Sequence, residues 1–194
     1  MSKRTATITR DTKETSVSLE INLDGSGKSS IDTGIPFFNH MLELLTYHSE
    51  FDISIQSKGD IDVDFHHTVE DIGICLGQCF KEALKDGKGI ARYASGLIPM
   101  DEALCQIAID ISNRPHLNFN CNFPKTKVGS FDIELAEEFF NAFCTNARIT
   151  LHISLLSGTN LHHMIEACFK AFGIHLNKAT SIQTNRIPST KGLL

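Results

Sequence analysis

The feature that most constrains this chain is a five-residue pattern that occurs twice. Residues 66–70 (HHTVE) and residues 162–166 (HHMIE) both read His-His-x-x-Glu, and they begin 96 positions apart (162 − 66). Imidazole and carboxylate groups are ligands of borderline divalent metals. A single pair of histidines would more often be solvated or cap a helix, but repetition of the whole pattern favours metal binding. The sequence therefore predicts two metal ions, or one metal between two related halves.

The similarity between the halves extends beyond these two segments, which we call the first and second pentads. Helical patterns at residues 39–45 and 137–143 are followed by alternating strand patterns at 52–55 and 150–153. Turn residues come next, and we expect a hairpin and a second strand before each pentad. Each pentad should then open an apolar-periodic helix, over residues 69–84 in one half and 164–176 in the other.

Strand patterns also precede each unit, at residues 15–23 in the first half and at 104–111 and 116–120 in the second. The predicted fold is α/β of the α+β type, an internally duplicated unit of mixed β-sheets packed on helices. No linker rich in Pro, Gly or Ser separates the halves. We therefore expect a single domain, 1–194, made of two pseudo-repeats at about 1–90 and 91–194.

Composition excludes several classes of function. At 41% hydrophobic and 21% charged residues, the chain of 194 residues has the composition of a soluble globular protein. A net charge of −5 without a basic run argues against a nucleic-acid partner. The apolar runs are too short for a membrane span, and the first ten residues lack an apolar signal segment, so we expect a cytoplasmic protein with no membrane partner.

Helix geometry indicates how the pentads would share their ligands. Positions i and i+4 lie on one helix face, whereas neighbouring positions point roughly 100° apart. His66 can therefore act with Glu70, and His162 with Glu166, while the second histidine of each pair should serve another ion. His40 and Glu138 occupy equivalent places in the upstream helices. Our hypothesis gives one ion His66, Glu70, Glu138 and His163, and the other His40, His67, His162 and Glu166.

Basic and hydroxyl residues suggest a phosphate site. The candidates are Arg92, Arg114, Lys170 and the loop at 188–192, which contains Ser189, Thr190 and Lys191. Each cation alone is more often a solvated surface residue, so the prediction depends on their combination. Glu14, Asp101 and Glu102 are candidates for acid–base catalysis, with surface solvation as the alternative for each.

The chain resembles the imidazoleglycerol-phosphate dehydratase family from about Thr7 to Leu193. The segments that carry the resemblance are GIPFFNHML (34–42), DFHHTVEDI (64–72), PMDEAL (99–104), Arg114-Pro115, LHI (151–153), HHMIEACFKA (162–171) and STKG (189–192). The resemblance implies a duplicated α/β fold with two Mn²⁺ ions per active site. It also implies a 24-subunit cage with active sites between subunits.

The same resemblance implies roles for individual residues. Arg92, Arg114, Lys170, Ser189 and Lys191 fall on substrate and phosphate positions, and Glu14 falls on the carboxylate implicated in proton transfer. His48 falls in a stretch that lines the site. One departure is Glu138, where many members of the family carry His. Because a carboxylate is a harder Mn²⁺ ligand than imidazole, we expect the site to survive with a changed metal preference.

The reaction implied is loss of water from imidazole glycerol phosphate to give imidazole acetol phosphate, in histidine biosynthesis. Bound metals would act as Lewis acids and as a template. One alternative is a dinuclear metal hydrolase acting on a phosphate ester, which needs the same ligands but releases phosphate. Another is a non-enzymatic metal-binding or cage-forming protein, which leaves the pattern of basic residues unused.

Overall fold

The computed structural model describes residues 3–194, and Met1 and Ser2 lie outside the described residues. Two four-stranded sheets and four helices form its main elements. The first half contains β1 (Thr5–Asp11), β2 (Thr15–Asn22), β3 (Ser29–Asp32), α1 (Pro36–Ser49), β4 (Asp52–Gly59) and α2 (His66–Leu84). The second contains β5 (Tyr93–Met100), β6 (Ala103–Asp110), β7 (His116–Asn120), a short hairpin of β8 (Lys127–Val128) and β9 (Phe131–Asp132), α3 (Leu135–Ala147), β10 (Thr150–Ser157) and α4 (Leu161–Thr180).

The two sheets have the same topology. Their strand orders are β1-β2-β4-β3 and β5-β6-β10-β7, with an antiparallel core and one parallel pair at the far edge of each. Alternate residues of β2 and β6 are buried, so each sheet has one inner apolar face. These matching sheets confirm the predicted fold class and its duplication, whereas the division into a single domain of two pseudo-repeats stays a prediction.

The helices connect the two halves crosswise. In each half the last helix covers its own sheet, α2 on β1 and β2, and α4 on β5 and β6. The earlier helix of each half packs on the other half instead, because α1 lies against α4 and α3 lies against α2. This exchange places a helix of one half beside the pentad of the other.

Two equivalent glycines permit the close approach of these helix pairs. A Cβ atom at Gly77 of α2 would lie 2.6 Å from the carbonyl oxygen of Phe143 in α3. At Gly173 of α4 it would lie 2.7 Å from the carbonyl oxygen of Leu45 in α1. The two glycines are 96 positions apart (173 − 77), the same offset as the pentads. The close packing of a helix pair against a glycine therefore occurs in both halves of the duplication.

Two details of the sequence prediction are wrong. The hairpin expected before each pentad lacks its second strand, since residues 60–65 and 158–160 form turns that lead straight into α2 and α4. The strands β1, β3 and β5 were missed. The edge strand β5 contains Gly96 and Pro99, which weaken a strand pattern in sequence and are tolerated at an edge. Within residues 3–194 no helix has both the length and the apolar character needed to cross a bilayer.

Candidate metal centre

Both pentads lie at the first turn of a helix, where side chains cap the backbone. The Asp64 carboxylate accepts a hydrogen bond from the backbone N–H of His66 at 2.8 Å. The Asn160 side chain accepts from the backbone N–H groups of His162 and His163, at 3.0 and 3.5 Å. Asn160 is the N-cap of α4, and Asp64 binds the first N–H of α2 from the residue before the N-cap Phe65, so side-chain hydrogen bonding fixes each helix start. It therefore fixes the direction in which each histidine pair leaves the helix.

The second pentad takes part in a three-residue cluster with α1. His162 Nε2 lies 3.1 Å from Glu166 Oε2, and His40 Nε2 lies 3.8 Å from the same oxygen. One ligand atom from each of these three residues lies within 4.8 Å of the others, and no second such group of three or more His, Cys, Asp or Glu occurs among residues 3–194. Two nitrogens and one oxygen at this spacing suit a divalent cation.

Lys170 holds the other carboxylate oxygen of Glu166. Its Nζ lies 2.5 Å from Oε1, one helical turn further along α4. Burial would raise the pKa of Glu166, but Lys170 outweighs burial, with help from His162 and His40, and holds that pKa below its ordinary value. The carboxylate is therefore kept ionised with Oε2 facing the histidines. Lys170 and Glu166 therefore share one face of α4, as positions four residues apart on a helix do.

His48 of α1 lies close to the same group. Burial lowers the pKa of His48, and the positive charge of Lys170 lowers it further. These effects favour the neutral imidazole, which can both accept and donate a hydrogen bond. Its role in binding substrate remains a prediction.

The first pentad has a different environment. His66 and Glu138 line one cavity of about 410 Å³ at the α2–α3 contact, together with Leu117, Glu137 and Asn141. Glu70 is half-buried on the following turn of α2. In the described chain these residues do not converge to the spacing of the second-pentad cluster. The position four residues after Glu70 is Ile74, so this carboxylate has no counterpart of Lys170.

The two histidines of each pentad have different surroundings. The ring planes of the neighbours are 86° apart in the first pentad and 81° apart in the second. His67 Nδ1 lies 3.0 Å from Asp60 Oδ2 and 3.9 Å from Glu14 Oε2. Thus the structure does not bring His67 to His40, His162 and Glu166 within one chain.

His163 has the corresponding environment in the second half. Its Nδ1 lies 2.8 Å from Glu102 Oε2 and 3.9 Å from Asp101 Oδ2. The hydrogen bond to Glu102 raises the pKa of His163, and the hydrogen bond to Asp60 raises that of His67. The same bond to His163, together with backbone N–H donors, lowers the pKa of Glu102 to about 2. A carboxyl group that is so strongly acidic is a poor proton donor, which weakens the prediction of acid catalysis by Glu102.

The predicted phosphate residues fall into two places. Five of them line one cavity of about 580 Å³, formed where the C-terminal segment returns to β5 and β6: Arg92, Arg114, Ser189, Thr190 and Lys191. Arg92 is fixed there, since its Nε donates to Asp110 at 2.7 Å and its Nη1 donates to the carbonyl oxygen of Pro188 at 2.9 Å. Lys170 lies instead beside Glu166, in the cluster that Glu166 forms with His40 and His162.

Sequence reasoning missed Asp60 and left the role of Glu102 open. The position of Asp60, in the turn just before the first pentad, is a signal in the sequence that could have identified it. Glu102 lies 61 positions before His163, so no local spacing in the sequence links them.

Comparison with known proteins shows which family this chain is similar to. The family model described as Imidazoleglycerol-phosphate dehydratase matches residues 33–176. A curated Imidazoleglycerol-phosphate dehydratase of Bacillus licheniformis is 54% identical over 193 residues, covering 98% of this chain and 100% of the relative.

Two solved structures have the same fold. A crystal structure of imidazoleglycerol-phosphate dehydratase from Staphylococcus aureus has a TM-score of 0.84 at 45% identity, covering 92% of this chain and 99% of that one. The enzyme from Pyrococcus furiosus, solved in complex with (S)-C348, has a TM-score of 0.84 at 37% identity, covering 96% and 100% of the two chains.

Proposed function

The chain belongs to the imidazoleglycerol-phosphate dehydratase family, and on that premise we propose that it is a Mn²⁺-dependent hydro-lyase. The reaction converts imidazole glycerol phosphate to imidazole acetol phosphate and water, as a step of histidine biosynthesis. We place this reaction in the cytoplasm. The observation that supports metal dependence most directly is the convergence of His40, His162 and Glu166.

The residues present suit a manganese site. The three donor atoms are two imidazole nitrogens and a carboxylate oxygen, with no thiolate among them. This set favours Mn²⁺ over a structural Zn²⁺ site, which would recruit cysteine. Lys170 occupies only Oε1 of Glu166, so Oε2 remains available to an ion. When bound, the metal supplies Lewis-acid polarisation of an imidazole-containing substrate.

We propose that the second ion uses His66, Glu70 and Glu138, and that His67 and His163 complete the two sites. The cavity shared by His66 and Glu138 supports this assignment for the first pentad. His67 and His163 are 34% and 27% exposed, and each contacts a carboxylate outside the proposed ligand set. That exposure supports a site completed by other subunits, as in the 24-subunit cage that the family resemblance implies.

Substrate orientation and proton transfer would fall to side chains outside the metal ligands. The Arg92–Lys191 cavity offers two guanidinium groups, an ammonium group and two hydroxyls to a phosphate. Glu14 is exposed and lies 3.9 Å from the predicted ligand His67, which supports a role for it in proton transfer. We propose His48 and Lys170 as further contacts with the substrate.

The test is metal removal followed by reconstitution. Chelation should abolish water loss from imidazole glycerol phosphate, and added Mn²⁺ should restore it, with imidazole acetol phosphate and inorganic phosphate both quantified. His152→Ala, on the exposed face of β10, serves as a histidine control that should behave like the wild type. Turnover that survives complete metal removal would contradict metal dependence, and release of inorganic phosphate would favour the hydrolase alternative.

A further inference from the structure

Each half of the chain pairs the second histidine of its pentad with a carboxylate. We propose that Asp60 and Glu102 are positioning residues, which fix the ring orientation and the tautomer of His67 and His163 so that each presents Nε2 to a divalent metal. This inference rests on the proposed metal-dependent function. Asp60 and Glu102 are not themselves among the proposed metal ligands.

The Glu102 carboxylate is held on both of its oxygens. Oε1 accepts hydrogen bonds from the backbone N–H groups of Thr159 and Asn160, at 3.1 and 2.7 Å. Oε2 is left to face His163 Nδ1 at 2.8 Å. An ionised carboxylate can only accept hydrogen bonds, so the imidazole proton must reside on Nδ1. The lone pair of Nε2 is then directed outward, as metal coordination requires.

The Asp60 carboxylate contacts His67 through both of its oxygens. Its two carboxylate oxygens lie 3.2 and 3.0 Å from His67 Nδ1. The backbone N–H of Asp60 donates to the carbonyl oxygen of Glu14 at 3.0 Å, which ties its turn to the β1–β2 turn. The geometry therefore gives His67 the same Nδ1–H tautomer as His163.

The two carboxylates do not occupy equivalent positions in the repeats. Asp60 follows β4, in the turn before its own pentad, whereas Glu102 lies in the β5–β6 turn. Simple duplication of one ancestral contact would place both in the same turn. The shared arrangement at Nδ1 has thus been reached through unlike residues, which indicates that the orientation of these two rings matters to the protein.

The pairing is also selective within each pentad. The first histidine of the second pentad, His162, directs Nε2 at Glu166, and this carboxylate belongs to the proposed metal ligands. Only the second histidines have a carboxylate at Nδ1 that lies outside the proposed ligand set. Outer carboxylates of this kind raise the basicity of a metal-bound imidazole and hold its ring.

The test measures Mn²⁺ affinity of the assembled full-length protein, from the electron paramagnetic resonance signal of free Mn²⁺ during titration. Glu102→Gln and Asp60→Asn should each weaken Mn²⁺ binding about 10- to 100-fold at one of the sites. Asp62→Asn, which neutralises an exposed carboxylate in the same turn as Asp60, is the matched control and should bind as the wild type does.

A comparison of two substitutions at Glu102 separates orientation from simple structural support. In Glu102→Gln the amide oxygen would stay on the backbone N–H pair, so the amide N–H would face His163 Nδ1. That arrangement forces the proton to Nε2 and blocks coordination. Glu102→Gln should therefore bind Mn²⁺ no better than Glu102→Ala, although it should preserve thermal stability better.

The outcomes distinguish this inference from the proposed function. Suppose that the wild type binds Mn²⁺ and dehydrates its substrate. If Glu102→Gln and Asp60→Asn then bind Mn²⁺ as tightly as the wild type does, the positioning role is overturned and the proposed function stands. Loss of affinity in Glu102→Ala with wild-type affinity in Glu102→Gln would also overturn it. If the wild type takes up no Mn²⁺, the proposed function fails as well.

Discussion

The two pentads have the same sequence pattern, yet their surroundings differ. In the second pentad, His162 and Glu166 converge with His40 from the other half of the chain, and Lys170 holds the free oxygen of the carboxylate. In the first pentad, His66 opens onto a cavity shared with Glu138, and no described group of three ligand side chains forms there. A duplicated motif therefore does not imply identical surroundings within one chain.

The difference follows from the residues that the crossed helices supply. Helix α1 brings a histidine to α4, whereas α3 brings a carboxylate to α2. Glu166 has the ammonium group of Lys170 beside it, whereas the position four residues after Glu70 is the apolar Ile74. The carboxylate of the second pentad is thus neutralised within the chain, and we propose that the first pentad depends more on an added metal.

The largest effect should come from removing the charge of Glu166. We expect Glu166→Gln to abolish Mn²⁺ binding at its site and to lose turnover. It should also destabilise the fold by about 1–3 kcal/mol, because Lys170 would lose its charged partner while its side chain is only 20% exposed. Glu70→Gln should lose turnover with little loss of stability, since Ile74 occupies the place of Lys170.

Activity assays and thermal unfolding of both variants measure whether the two carboxylates are held differently. The double variant Glu166→Gln with Lys170→Met should recover stability without recovering activity, since both charges are then removed. Equal destabilisation by Glu70→Gln and Glu166→Gln would show that the two pentads are not held differently.

A slightly smaller effect is expected at Glu14, which lies beside the first half of the site. Glu14→Gln should reduce turnover about 10²- to 10⁴-fold, the usual contribution of a general base, without changing Mn²⁺ or substrate binding. Steady-state kinetics and Mn²⁺ titration measure the two quantities separately. Glu20→Gln, an exposed carboxylate on β2, is the control. Near-wild-type turnover would remove Glu14 from the proton-transfer role.

The phosphate cavity should make the two halves unequal in substrate binding. It is formed by residues of the second half alone, including the C-terminal loop. Lys191→Ala should raise KM about 10-fold or more through loss of a charged hydrogen bond, while leaving Mn²⁺ affinity intact. Lys58→Ala, on the exposed part of β4, should change neither quantity. An unchanged KM in Lys191→Ala would show that the substrate phosphate does not bind in this cavity.

The smallest effect should come from the ligand that differs between the halves. Glu138→His would make the α3 position match His40 of α1, and we expect turnover to stay within about tenfold of the wild type. The harder carboxylate favours Mn²⁺, so the variant should shift its preference toward softer ions such as Zn²⁺ or Co²⁺. Competition titrations measure that preference. An unchanged preference would argue that Glu138 is not a ligand.

The sequence predicted the parts of the structure that depend on local spacing. The pentads open helices, and Lys170 shares a face with Glu166, because both follow from the helical repeat. The edge strands β1, β3 and β5 escaped prediction because their residues are largely polar or half-exposed, with no continuous apolar alternation.

Local sequence patterns cannot predict contacts between segments that lie far apart in the chain. The pairing of His163 with Glu102 spans 61 positions, and that of His40 with Glu166 depends on α1 crossing to the other half. The correspondence between the two repeats nevertheless predicts His40 as a ligand candidate from the sequence alone. The allocation of all eight ligand candidates between two ions stays a prediction.

The most direct test is a crystal structure of the Mn²⁺-loaded protein with anomalous scattering measured at the manganese edge, in the presence of an imidazole ligand. Our account predicts two manganese peaks per active site. One should be bound by His40, His162 and Glu166, and the other should be bound by His66, Glu70 and Glu138. A single peak, or peaks away from both pentads, would contradict it.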